Sequence, residues 1–366
     1  MFSFIKNILQ PALQTHPVPT LVPAQPAMTS APTFPRIQVV ADEHGRKKQL
    51  AGILAHGGEG TIHRVADRAD VLVKIYHPEI LADHERKIRL QLKISEMAGN
   101  ARLRENDHIA WPLVSLTSDH DGQWCGYAMR LRSGISLREL CGNPKNFGLT
   151  VPDWHRQHLI RLCLDFLDII GVLAESHTLP VDFNPSNFLV DLNTIRLNFI
   201  DCDGFQFCGS SGMHLSEAML PEMAAPEVAR RGSWTDAPVS NPSLRFSIGM
   251  ILFYILNLGN SPYRHRNGHD PVQNLIKGYC ALGRGTDCEL PQGSCYLIWS
   301  HLIFDIKELF IRCFREGHSN QSARPSITEW REALLKYNHC LLQGYADASV
   351  MPPHSKSSDF RGNSTS

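Results

Sequence analysis

Lys48 to Tyr76 reads KQLAGILAHGGEGTIHRVADRADVLVKIY. Apolar and β-branched residues alternate on both sides of a glycine cluster and again after a polar turn, which is the pattern of strand, Gly-rich turn, strand, turn, strand. Next along the chain, Pro78 to Met97 carries Ile80, Leu81, Ile88, Leu92 and Ile94 at roughly helical spacing. Two more strands, Trp111 to Leu116 and Trp124 to Leu131, flank SDHDGQ, whose Asp121-Gly122 pair suits a hairpin turn. Residues 36–132 therefore read as a small sheet with one helix. After Ser133 helical periodicity takes over, at Trp154 to His177, Leu244 to Leu258, Ile298 to Phe314 and Ile327 to Leu342, so residues 133–344 read as mostly helical. The expected class is α+β, a β-rich part joined to a helical part with a ligand cleft between them.

The ends have a different composition. Residues 1–35 repeat Pro with Ala, Thr and Ser, and residues 345–366 close in SKSSDFRGNSTS; neither stretch holds enough apolar surface to fold alone, and both are expected to be disordered. Over the 366 residues, 36 Lys and Arg balance 36 Asp and Glu, which gives no electrostatic case for nucleic acid or an anionic membrane. The ten Cys form no CxxC pair and no ordered ligand ladder, so they read as reduced thiols of a cytoplasmic protein and not as a zinc site. The start, MFSFIKNILQP, is interrupted by Lys6 and stopped by Pro11, a poor signal sequence. Ile248 to Gly259 (IGMILFYILNLG) is too short to span a bilayer and reads as a core helix.

Three groups of residues carry chemistry. Gly57, Gly58 and Gly60, inside HisGlyGlyGluGlyThr at 56–61, would let backbone N–H groups approach a phosphate chain, or would simply make a flexible hairpin. Lys74 lies within the apolar strand VLVKIY, where it either snorkels to solvent or points at a phosphate. The stretch VDFNPSNFLVDLNTIRLNFIDCDG, residues 181–204, sets Asp182, Asn187 and Asp201 at the margins of two short apolar strands. A carboxylate there is costly unless a cation compensates. One carboxylate and one amide oxygen suit Mg²⁺ when phosphates and water complete the shell, and a further carboxylate can orient a hydroxyl. Asx turns capping strand ends are the plain alternative.

In this order along the chain, the residues resemble the protein kinase superfamily. Ala55, Gly57, Gly60 and Ile62 approximate its Gly-rich loop, Lys74 its strand lysine, Asp182 and Asn187 its D-x-x-x-x-N, and Asp201 its D-F-G aspartate. Ala225-Pro226-Glu227 is similar to the end of an activation segment, and Arg324, in the segment Cys313 to Leu334, would pair with Glu227. The resemblance covers residues 48 to 343. DFNPSNFLV followed by FIDCDGFQF, with the GGEG loop and VKIYH, looks like a divergent bacterial branch whose members associate with PP2C-type phosphatases and von Willebrand A domain proteins.

The resemblance implies a bilobal kinase-like fold, a small β-rich N-lobe and a helical C-lobe with the ATP cleft between. It implies an ATP-dependent kinase, with Mg²⁺ or Mn²⁺, acting on protein Ser or Thr hydroxyls, its own included. Lys74 would hold phosphate oxygens, oriented by Glu96 in preference to Glu85. Asn187 and Asp201 would bind metal, Asp182 would serve the substrate hydroxyl, and Met129 to Leu131 would face adenine. The chain departs from the family pattern at Pro180 and Val181, Asn184, Cys202, Asp203, Leu220 and Leu244. Pro180, Asn184, Cys202 and Leu244 fit the alternative of a pseudokinase, a nucleotide-binding or scaffolding module; the joint presence of Lys74, Asp182, Asn187 and Asp201 argues against it. A small-molecule phosphotransferase is the third reading, disfavoured by the Ala-Pro-Glu segment.

Overall fold

Period-two alternation in Arg68–Tyr76 decides how the β-rich part is built. Val71, Val73 and Ile75 pack with Val40, Val65, Leu116 and Cys125 into a small apolar core, while Leu72 and Tyr76 join the larger core on the other side. The computed structural model describes residues 37–231 and 237–354. Six strands make up the first sheet: β1 (Val39–Asp42), β2 (Lys47–His56), β3 (Gly60–Val65), β4 (Arg68–Tyr76), β5 (Pro112–Ser118) and β6 (Trp124–Arg130). Their order is β1-β2-β3-β4-β6-β5, every pairing is antiparallel, and β5 returns to β1, so the sheet is a closed barrel.

This corrects the expected architecture. A bilobal α+β kinase-like fold with a small β-rich N-lobe is not what forms: the N-terminal sheet is a closed barrel, and the described residues from Ile37 onward gather into one compact unit. The cause is β1, which precedes the first strand read from the sequence. Val40 pairs with both Lys48 and Ser118, so one four-residue strand satisfies the free backbone edges of β2 and β5.

The helical stretch after β4 is two helices, α1 (Pro78–Ala82) and α2 (His84–Ala98), parted at Asp83, whose carboxylate caps α2 by accepting from the Arg86 N–H at 3.0 Å. A short α3 (Ala101–Arg104) follows, and α2 packs along β5. Two small sheets stand next to the barrel. The first contains β7 (Ile135–Ser136), β9 (Phe188–Asp191) and β10 (Arg196–Phe199); the second contains β8 (Thr178–Leu179), β11 (Gln206–Gly209) and β12 (Gly212–His214).

The remaining helices are α4 (Leu137–Cys141), α5 (Pro144–Thr150), α6 (Arg156–Glu175), α7 (Pro226–Ala229), α8 (Asn241–Leu256), α9 (Pro271–Lys277), α10 (Ser294–His301), α11 (Phe304–Ile311), α12 (Gly317–Ser319) and α13 (Ile327–Leu342). Helix α8 is buried without a break from Phe246 to Leu256, as its uniformly apolar sequence requires. The run expected as one helix over Ile298 to Phe314 breaks at Leu302–Ile303 into α10 and α11, and α11 runs on into a wider turn at Arg312–Glu316.

Past residue 344 the chain does not leave the fold at once. Ala346 and Val350 are buried, and the fully buried Arg156 guanidinium donates to the carbonyls of Val350 (3.1 Å) and Leu256 (3.2 Å). The Pro-rich leader and residues 355–366 lie outside the described residues. Among the described residues no helix is long and apolar enough to cross a membrane.

Candidate functional site

Lys74 sits on β4 with its side chain turned away from the barrel core. Its Nζ lies 2.7 Å from Asp201 Oδ1 and 2.7 and 3.0 Å from the two oxygens of Asp203. Asp203 also accepts from the hydroxyls of Tyr76 (2.6 Å) and Tyr127 (2.8 Å), and Tyr127 is the cross-strand neighbour of Lys74. The side chains of Lys74 and Asp203 are 5% and 2% exposed, that of Asp201 48%. Asp203 is thus the floor of the site and Asp201 its mouth.

Burial opposes the charge on Asp203, but the Lys74 ammonium and the two tyrosine hydroxyls hold its carboxyl down at about 2. Lys74 pulls Asp201 the same way; there burial and the negative charge of Asp203 prevail and leave it above the ordinary carboxylate value. Lys74 itself is destabilised by burial and restored by the two carboxylates, with the net shift upward. Asp201 has a left-handed backbone, φ 59°, at the head of a tight 3-10 turn over Cys202–Gly204. Non-glycine residues rarely adopt that conformation, which turns two carboxylates spaced by one residue onto the same ammonium.

The hairpin of β9 and β10 delivers the other two oxygens. Phe188 pairs with Phe199, and the Asn187 carbonyl accepts from the Ile200 N–H at 2.9 Å, which ties Asn187 to the strand leading into Asp201. Asn187 Nδ2 donates to Asp182 Oδ2 at 3.1 Å, so its Oδ1 is left for another partner. Burial first, then the Asp201 charge, raise the Asp182 carboxyl above its usual range, against the hydrogen bond from Asn187. A weakly basic carboxylate is lifted in this way toward the pKa a general base needs. Asn184 acts locally, its side chain accepting from the Ser186 N–H and from Arg138.

The Gly-rich turn is fixed to Lys74 by strand pairing, with Ile62 opposite Lys74 and Gly60 opposite Tyr76. A Cβ on Gly60 would collide with the Ile75 carbonyl oxygen, so glycine is required there by close backbone approach. The Gly57 N–H donates to the Gly60 carbonyl (2.8 Å), and Gly58 is open to solvent. Met129 is buried on β6, and the Leu131 N–H donates to the Asp70 carbonyl (2.8 Å), so that amide does not face a ligand.

The expected pair of Lys74 with Glu96 is not formed. Glu96 accepts from the Ser210 hydroxyl (2.6 Å) and the Ser211 N–H (2.9 Å) and meets His214 Nε2 at 2.8 Å, all on the β11–β12 hairpin. Burial works against its charge, but these hydrogen bonds hold it at about 2. Lys74, already matched by two carboxylates from the chain after β10, does not draw Glu96 across.

Sequence reasoning missed Lys93, which is buried on α2 and donates to the Leu215 carbonyl at 3.2 Å. Burial brings it down to about 8, against the fields of Asp203, Glu217 and Glu59. The signal was present: Leu90, Lys93, Ile94 and Met97 form one buried helical stripe, and Lys93 is its only charge. Nearby, Arg86 bridges Glu59 of the Gly-rich turn (2.6 Å) and Glu217. Farther along the chain, Arg324 meets Glu227 through two hydrogen bonds of 2.7 and 2.8 Å.

For a hard divalent cation, the donors at hand are the Asn187 amide oxygen and the half-exposed Asp201 carboxylate. That set is all oxygen and partial, which fits an ion that keeps waters and phosphate oxygens as its other ligands. A scan against protein-family models and a search of curated proteins each return no match for this chain.

Proposed function

We propose that the chain is an ATP-dependent kinase that transfers the γ-phosphoryl group to protein Ser or Thr hydroxyls. The observation that supports the reading most is the chain of contacts from a buried ammonium (Lys74) to the half-exposed Asp201 carboxylate, and from Asp201 through the β9–β10 hairpin to the Asp182–Asn187 pair, whose carboxyl feels the Asp201 charge, with the Gly-rich turn strand-paired to β4 beside Lys74. Phosphoryl transfer needs little covalent help from a protein and much positioning and charge neutralisation, the work these groups are suited to. Lys74 exchanges Asp201 for a phosphate oxygen when ATP enters, while Asp203 keeps its counter-charge in place. Bound Mg²⁺ or Mn²⁺ supplies neutralisation of the phosphate oxygens. Asn187 and Asp201 would hold the ion, and Asp182, its carboxyl raised by burial, would accept the proton of the substrate hydroxyl. The proposed substrate is a protein, and PP2C-type phosphatases and von Willebrand A domain proteins are its proposed associates.

The second reading, a pseudokinase, draws on a specific observation: Lys74 is neutralised from within by two carboxylates, and Glu96 is held elsewhere. Incubation with radiolabelled ATP and Mg²⁺ separates the two. Label on the wild-type chain and none on Asp182→Ala supports the kinase. ATP binding without label transfer in either supports the pseudokinase.

A further inference from the structure

On the far end of β4 from Lys74, six residues and about 20 Å along the strand, four arginines line one groove: Arg68 on β4, Arg104 at the end of α3, Arg130 at the end of β6, and Arg132, with Asp70 and Leu131 between them. A chain whose charges cancel overall concentrates four guanidiniums here and no lysine among the lining residues. Each acid nearby matches one cation at most in good geometry. Asp70 takes Arg68 through two hydrogen bonds of 2.8 Å, and Asp107 meets Arg130 at 3.2 Å and Arg132 only at 3.9 Å. Four guanidiniums therefore face two carboxylates, an excess of two positive charges, and Arg104 has no carboxylate within ion-pair distance among the described residues.

Arg132 is the anchor. Its side chain is 11% exposed, and Nη2 donates to the carbonyls of Asn106 (2.8 Å) and Ile109 (3.5 Å). Its buried Nε has no partner among the described residues. The cost of that burial shows in a guanidinium held below its ordinary pKa by desolvation. Such a cation gains from an anion brought into the groove more than an exposed one does.

We propose that this groove binds a phosphomonoester dianion carried by a protein, a phosphoserine or phosphothreonine side chain. A single carboxylate would add nothing that Asp70 and Asp107 do not already offer, and exposed ion pairs of that kind are worth little and are readily exchanged. A dianion with three acceptor oxygens can bridge several planar guanidiniums at once, and the forked donors of arginine suit that geometry better than lysine does. This inference does not depend on the phosphotransfer reading.

The test is fluorescence anisotropy of the full chain with a labelled peptide pool, randomised around a fixed phosphothreonine, against the unphosphorylated pool and a single-stranded oligonucleotide. Arg104→Ala/Arg130→Ala is the variant, since both side chains reach solvent and neither belongs to the Lys74 site; its fold is checked by far-UV ellipticity. The expected result is binding that needs the phosphate and falls at least tenfold in the variant. Inorganic phosphate should compete, at higher concentration than the peptide. The proposal is overturned by no binding at millimolar peptide, by equal binding of the unphosphorylated pool, or by unchanged affinity in the folded variant. Tighter, arginine-dependent binding of the oligonucleotide would instead make the groove a nucleic-acid surface.

Discussion

Lys74 holds two carboxylates in place, and each of the three groups depends on the others. Removing the ammonium strands the buried Asp203, left with the two tyrosine hydroxyls, beside a second carboxylate. Lys74→Met is therefore expected to cost about 3 kcal/mol or more in a urea melt, whereas Asp201→Asn, at the exposed mouth, should cost under about 1 kcal/mol. Equal stability of the two variants would contradict this division into floor and mouth. Lys93 gives a prediction with a sign. Its folded value of about 8 lies below the 10.5 of a free lysine. Between those values the unfolded chain holds the proton and the folded chain does not, so stability rises with pH across that window and the full penalty applies below it. Lys93→Met should stabilise by about 1 to 3 kcal/mol at pH 7 and by steadily less toward pH 10; a difference that does not change with pH would contradict it. Among single residues, the placement of Asp182, Asn187 and Asp201 around one hairpin was legible, because local spacing sets them at the margins of β9 and β10. Asp203 and the partner of Glu96 were not, because a left-handed residue and a contact 118 positions away decide them.

The β11–β12 hairpin is held to α2 through Glu96, and Gly209 leaves room for the Glu96 carboxylate. A Cβ at Gly209 would overlap the Glu96 carboxylate. Gly209→Ala should free Glu96 from Ser211 and His214, raise amide exchange at Ser211 and through β12, and destabilise by about 1 to 3 kcal/mol. Unchanged exchange at those amides would show that the hairpin is held by something else. The strands β2 to β6 could be read from alternation and turn residues, as could α6, α8 and α13 from their long apolar stripes. The element that changes the architecture, β1, is four residues long with only Val40 fully buried, and no local pattern separates such a segment from a loop. The break between α10 and α11 carries no Gly or Pro, so periodicity ran straight across it.

The barrel and the helices share a core that runs from Tyr76 and Trp111 through Phe199 to α8 and α13. One transition is therefore expected on heating, with far-UV ellipticity and tryptophan fluorescence coincident and one calorimetric peak; two separated steps would contradict the single unit. The proposed chemistry belongs to the molecule as a whole too, because Lys74 comes from the barrel while Asp182, Asn187 and Asp201 come from the chain around β9 and β10. Mass spectrometry of the full chain, and of a generic protein substrate, after incubation with ATP and Mg²⁺, with Asp182→Ala alongside, probes that chemistry at its product. Phosphoryl groups on Ser or Thr are expected in the wild-type reaction and none with Asp182→Ala. No phosphorylation by the folded wild type, or equal phosphorylation by the variant, would contradict a kinase built on the Lys74 site.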